Sequence, residues 1–159
     1  MAKFFETVPV DQVLRMGIDT PESAVKGVSP SGQLGRGTNL RRAILVVDDE
    51  HVIADTLVAI LNASGYAAVA AYDGDSALRL ASARVPDLLL TDISMPGMNG
   101  IALATAVRER FPTCKVLLFS GHAGSTNLIE EARSQGQDFE LLSKPIHPRD
   151  LLERLNSLV

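Results

Sequence analysis

The chain has no tryptophan, one cysteine and few aromatic residues, two Tyr and five Phe among 159 positions. A single thiol, Cys114, can form no internal disulfide, which fits a reducing compartment. No apolar run approaches the ~20 residues of a membrane-spanning helix. Lys3 is not followed by an apolar core of the signal type, so no export signal is read and the cytoplasm is the expected compartment. Clustered basic charge is also missing, apart from Arg41-Arg42. The formal net charge is −4; residues 1–42 carry six basic and four acidic groups, and residues 43–159 carry nine basic and fifteen acidic. Phosphate contacts need clustered Lys and Arg, so neither direct nucleic-acid binding nor a membrane partner is expected. The length is enough for one hydrophobic core and short of two full domains.

What is present divides near residue 40. Residues 1–26 are weakly patterned. Pro9 suits a first helical position, with Val10, Val13 and Leu14 at helical spacing, and Thr20-Pro21-Glu22 suits a second helix start. Isolated helices this short are marginal in water, so a frayed tail with short helices is expected ahead of a docking helix. Residues 27–40 are rich in Gly and Ser and read as a flexible linker. Residues 1–40 are therefore an extension and linker, and 41–159 the folded domain, with the boundary between Thr38 and Arg42.

From Arg42 the pattern alternates between short apolar runs and amphipathic segments. The expected strands are 43–47, 67–72, 87–91, 115–119 and 139–143. The expected helices are 51–62, 73–84, 100–111, roughly 124–134, and 148–158. Continuous apolar strands imply a sheet buried on both faces, hence parallel strands covered by helices. The fold class is α/β, a doubly wound five-stranded parallel sheet. The flavodoxin-like order 2-1-3-4-5 puts strands one and three together at the switch point and the weak second strand at an edge.

Chemistry gathers at the strand ends. Strand one ends in Asp48-Asp49-Glu50, strand three in Asp92, strand four in Ser120-Gly121 and strand five in Ser143-Lys144-Pro145. In a parallel sheet these ends share one edge, so three carboxylates, a hydroxyl and an ammonium are expected in one crevice. Two carboxylates about 4 Å apart repel by roughly 4 kcal/mol at an effective dielectric of 20, so such a cluster needs a cation. Hard oxygen donors suit Mg²⁺, which shares phosphate oxygens readily. An aspartate that attacks phosphorus becomes an acyl phosphate, and the transferred group then needs positive charge and donors such as Lys144 and Ser120. Taken singly, each residue has a plainer reading: Asp48 or Asp49 as a helix cap, Asp92 as a turn residue before Pro96-Gly97, Ser120 as a turn serine, Lys144 as a solvated lysine. Their joint placement at four strand ends favours the functional reading.

At these residues the chain resembles a response-regulator receiver domain of two-component signalling. The resemblance covers about residues 42–158. It rests on Val46-Val-Asp-Asp-Glu50, Thr91-Asp-Ile-Ser-Met-Pro-Gly-Met-Asn-Gly100, Phe119-Ser-Gly121, Gln135-Gly136 and Lys144-Pro145. It implies that Asp92 accepts a phosphoryl group from the phosphohistidine of a sensor histidine kinase or phosphotransfer protein. It implies Mg²⁺ held by Asp49, by Asp48 through water, by Asp92 and by the backbone carbonyl of Ser94. Ser120 and Lys144 would follow the phosphoryl group, and the peptide before Pro145 would be cis. Output would pass to an unknown downstream protein, with a second copy of the chain another candidate partner. No output domain and no catalysis beyond self-phosphorylation and self-dephosphorylation are expected. The chain departs from the family at Leu141, where an aromatic is usual, with Phe139 two positions earlier. The residues that tune self-dephosphorylation in the family are here Ser94 and His122.

Two rivals stand beside this reading. One is a binding module with the same fold that is never phosphorylated. The other is a phosphoaspartate hydrolase of the haloacid-dehalogenase type, whose Asp-x-Asp after strand one is absent from Asp48-Asp49-Glu50. Other candidates carry less. His51, His122 and His147 are too scattered for a transition-metal site. Cys114 reads as a buried inert thiol. Met95 and Met98 read as packing residues. Gly97 to Gly100 lacks the Lys-Ser/Thr of a phosphate-binding loop.

Overall fold

The computed structural model describes residues 41–121 and 125–158. The expected extension, its short helices, the linker and His122 lie outside the described residues. Ten elements alternate along the chain: β1 (Ala43–Val47), α1 (His51–Ala63), β2 (Ala67–Ala71), α2 (Gly74–Ala83), β3 (Leu88–Asp92), α3 (Gly100–Arg110), β4 (Lys115–Ser120), α4 (Ser125–Ser134), β5 (Glu140–Ser143) and α5 (Pro148–Leu158). The strands are all parallel, in the order β2-β1-β3-β4-β5. The architecture is the doubly wound sheet expected, with boundaries shifted by a residue or two.

The apolar runs are buried on both faces because side chains alternate across the sheet. Ile44, Val46, Leu88, Leu90, Leu117 and Phe119 face α1 and α5, where Leu57, Leu61, Leu151 and Leu155 close one core. Leu45, Val47, Leu89, Val116 and Leu118 face the other way, against Ala77, Ala81, Leu103, Ala104 and Val107 of α2 and α3. Leu128 and Ile129 of α4 pack on the margin of that second core. The central strands β1 and β3 are thus sealed, while β5 at an edge stays half-buried or exposed throughout.

Polar groups set the ends of the elements. The Asp87 carboxylate accepts the Ala43 N–H at 2.6 Å just ahead of β3, which starts at Leu88. Asp73 caps α2 by accepting the Ser76 N–H at 2.7 Å, and Asn99 caps α3 by accepting the Ala102 N–H at 2.8 Å. Met95 is buried and Met98 packs against the same core, so both serve packing. A side chain at Gly74 would strike Met98 at 2.7 Å.

Gly100 opens α3 directly behind the end of β3. A Cβ there would collide with the Asp92 backbone carbonyl and the Ile93 Cα. Nothing flexible can yield, because the obstacle is backbone. Gly100→Ala is therefore expected to destabilise the domain by about 1–3 kcal/mol, the usual cost of overpacking. It should also displace Asp92; urea unfolding together with phosphoryl uptake checks both effects, and a variant unchanged in both would contradict the close approach.

Candidate functional site

β1, β3, β4 and β5 each deliver a residue to the same edge of the sheet. Register fixes the set: Val47 pairs with Thr91, Asp92 with Phe119, and Ser120 with Ser143. The residues just past these pairs, Asp48 and Lys144, flank Asp92 from opposite sides. The Lys144 ammonium lies 2.9 Å from Asp48 Oδ2 and 2.7 Å from Asp92 Oδ1. Asp48 is 1% exposed and Asp92 6%. Two carboxylates at that depth need a counter-charge, and Lys144 supplies it.

The second oxygen of each acid is also engaged. Asp48 Oδ1 accepts the Glu50 N–H at 2.9 Å, and Asp92 Oδ2 accepts the Ser94 N–H at 2.7 Å. One oxygen of Asp92 thus closes a turn and the other meets the lysine. Asp48 is not a helix cap; Glu50 holds the N-cap position of α1, with no side-chain hydrogen bond.

Lys144 is placed by its backbone and its stem. Its N–H donates to the Ser120 carbonyl at 2.8 Å, and the Lys144–Pro145 peptide is cis. Its ammonium lies 4.5 Å from the centroid of the Phe119 ring. A Cβ on Gly121 would meet Lys144 Cδ at 3.3 Å, so glycine lets the stem run close to β4. Ser120 ends β4, half-buried, beside this lysine.

Burial pulls the Lys144 ammonium down, but the hydrogen bonds it donates to Asp92 and Asp48 outweigh it, and its pKa stands above the ordinary 10.5. A lysine raised in the folded state contributes stability that is complete below its unfolded pKa and is lost as pH climbs through the folded one. The stability gap between wild type and Lys144→Met should thus hold constant from neutral pH to about 10 and close above 10.5. Urea midpoints of both proteins across that range check it; a gap that closes near neutrality would contradict the pairing.

The expected donor set is gathered only in part. Asp48 and Asp92 meet around Lys144, whereas Asp49 is exposed beside them. Among the described residues no three of His, Cys, Asp and Glu lie close enough to hold a metal ion. The Lys144 ammonium lies between the two buried acids. The donors at this edge are all hard oxygens, which fits Mg²⁺ in kind and suits no softer metal.

One residue escaped the sequence reading. Ser125, the first residue of α4, is 1% exposed, and its hydroxyl lies 3.3 Å from the Ser94 hydroxyl. Nothing in the local sequence distinguishes it from an ordinary helix-start serine. Leu141 is half-buried and packs with Leu118 and Ile129, while Phe139 is buried under the Arg108 guanidinium at 4.1 Å. No aromatic therefore stands where the family carries one.

Cys114 is buried, and burial pushes its thiol up to about 11. A neutral, enclosed thiol is a poor nucleophile. Iodoacetamide at mildly alkaline pH should leave the native protein unlabelled and alkylate it fully in urea; mass spectrometry of the two samples would show the difference, and rapid native labelling would contradict it.

Comparison with known proteins agrees with this geometry. Residues 44–156 match the family described as response regulator receiver domain. The two-component response regulator ARR21 of Arabidopsis thaliana is 38% identical over 114 residues, which is 70% of this chain and 18% of that protein. The chain thus spans under a fifth of that relative's length. Among solved structures, chemotaxis protein CheY4 of Vibrio cholerae is similar with a TM-score of 0.67 at 27% identity, covering 75% of this chain and 99% of that one. A CheY-like receiver domain protein of Methanospirillum hungatei gives a TM-score of 0.66 at 31% identity over 74% of this chain and 92% of that one. TrrA of Thermotoga maritima, solved in complex with Mg²⁺ and BeF, gives 0.65 at 29% identity over 74% of this chain and 99% of that one. No helix among the described residues is long and apolar enough to cross a membrane. The match over most of its length, on a sheet that carries Asp48, Asp92 and Lys144 at one edge, makes this chain a member of the response regulator receiver domain family.

Proposed function

We propose that Asp92 is a reversible phosphoacceptor, loaded from a phosphohistidine donor in a Mg²⁺-dependent reaction. The observation that carries this reading is the lysine bridge: Lys144 Nζ within 3 Å of both Asp48 and Asp92. An ammonium so placed offsets one of the two negative charges at rest and is in reach of the oxygens of a group added to Asp92.

The steps follow from the partners each atom has. An oxygen of Asp92 attacks phosphorus, and the bond from phosphorus to the donor nitrogen breaks, its electron pair returning to the donor imidazole. Oδ1 is freed for this when Lys144 moves from the carboxylate to the incoming phosphoryl oxygens; Oδ2 stays aimed by the Ser94 N–H. Asp48 keeps Lys144 at the site during that exchange, since it holds the same ammonium. Ser120, at the adjoining end of β4, offers a hydroxyl to the new oxygens. Asp48, Asp49, Asp92 and the Ser94 carbonyl would hold the Mg²⁺. When bound, that ion supplies charge neutralisation for the transferring phosphoryl group.

The donor is a sensor histidine kinase or phosphotransfer protein, and the signal passes to a downstream partner or a second copy of this chain. The signal is a population shift driven by the roughly −1.5 to −2 charge of the added group. The protein catalyses nothing beyond its own phosphorylation and dephosphorylation, and it acts in the cytoplasm. Residues 1–40 form an extension to the receiver at 41–159.

Acetyl phosphate with Mg²⁺ tests the reading without knowledge of the kinase. Intact mass should rise by one phosphoryl group, and excess EDTA should abolish the rise. Equal uptake with EDTA would contradict the metal assignment, and no uptake under any condition would favour the non-phosphorylated binding module.

A further inference from the structure

We infer that the Ser94–Ser125 hydroxyl pair carries the state of Asp92 to helix α4, in place of an aromatic switch. The inference rests on the phosphoacceptor reading above and adds the route by which that site is read out.

Ser94 is tied at both ends. Its backbone N–H donates to Asp92 Oδ2 at 2.7 Å, and its hydroxyl lies 3.3 Å from that of Ser125. Two consecutive polar contacts therefore join the acid to the first residue of α4. Ser125 is 1% exposed. A buried hydroxyl left without a partner costs about 1–3 kcal/mol, so the contact with Ser94 has weight for Ser125. A separation of 3.3 Å is long for a hydroxyl–hydroxyl bond, whose usual range ends near ~3.0 Å. A contact that weak can be tightened or lost by a small displacement of Ser94.

Phosphorylation supplies the displacement. Once Oδ1 bears phosphorus, Oδ2 is the carbonyl oxygen of an acyl phosphate and a weaker acceptor, so the Ser94 N–H is drawn toward the charged phosphoryl oxygens. The Ser94 hydroxyl moves with its own backbone. α4 is suited to respond, because its packing is marginal: only Ser125 and Ala132 of its ten residues are buried. The edge strand β5 beside it is likewise not sealed. The usual aromatic position is occupied here by Leu141, which packs with Leu118 and Ile129 and has no hydrogen-bonding tip to follow a hydroxyl.

The test compares hydrogen exchange in full-length wild type, Ser125→Ala, Ser125→Cys and Ser125→Thr, each with and without acetyl phosphate and Mg²⁺. Intact mass is read on the same samples. Wild type should take up one phosphoryl group and change its exchange across residues 125–134. Ser125→Ala and Ser125→Cys should take up the group to a similar extent, while the change in α4 falls at least roughly threefold, the scale expected for one weak hydrogen bond. Ser125→Thr keeps the hydroxyl and should retain the response. Ser125→Cys keeps the volume of this buried side chain and serves should Ser125→Ala fold poorly. Normal uptake with an undiminished α4 response in folded Ser125→Ala or Ser125→Cys overturns the link alone. Absence of uptake in wild type overturns the phosphoacceptor reading and the link with it.

Discussion

Asp92→Asn is expected to take up no phosphoryl group while keeping its fold. The amide is a neutral and very poor nucleophile toward phosphorus, so the bond to the acceptor cannot form. The fold should survive because both contacts of Asp92 can be kept or spared. An amide oxygen still accepts the Ser94 N–H that Asp92 Oδ2 accepts now. Lys144 loses one acid and keeps Asp48 at 2.9 Å, which leaves a balanced pair rather than an orphaned charge. The net stability change should stay within about 1.5 kcal/mol in either direction, the worth of one hydrogen bond. Intact mass after acetyl phosphate and Mg²⁺, read beside a thermal melt, distinguishes lost chemistry from lost structure. Persistent uptake in the folded variant would place the acceptor elsewhere.

Lys144→Met has the larger structural effect. It leaves Asp48 and Asp92, each under a tenth exposed, without the ammonium that separates them. Breaking a fully buried ion pair from one side costs about 3–5 kcal/mol. The lysine side chain is 20% exposed, so water recovers part of that. About 2–4 kcal/mol is therefore expected, or roughly 5–15 °C in melting temperature for a domain of this size. Mg²⁺ offers an oxygen-loving substitute for the lost charge, so it should raise the melting temperature of the variant by more than that of wild type. An unchanged melting temperature in the variant would mean that the bridge contributes no stability. Phosphoryl uptake should fall as well, since no ammonium remains to meet the incoming oxygens.

The sheet was legible in the sequence because its strands are nearly uninterrupted apolar runs. Leu88-Leu-Leu90 and Val116-Leu-Leu-Phe119 can be buried only between two layers of helix, and that alone implies a doubly wound sheet. The weak run Ala67–Ala71 was legible as an edge for the converse reason: Val69 can remain half exposed only where no second strand adjoins. The strand ends then located Asp48, Asp92 and Lys144 together, since parallel strands share one C-terminal edge. What the pattern could not tell was which of two adjacent acids turns inward. Asp48 does, toward Lys144, and Asp49 remains exposed; a one-residue difference in direction decides it and composition does not. Ser125 was hidden for a related reason, as its partner Ser94 is 31 residues away and reached only through tertiary packing.

The sharpest test is to locate the modified atom. After reaction with acetyl phosphate and Mg²⁺, borohydride reduces an acyl phosphate and marks the residue that carried it, and peptide mass spectrometry then reads its position. The mark is expected on Asp92 and nowhere else. A mark on Asp48, Asp49 or any other side chain, with Asp92 untouched, would contradict the account at its centre.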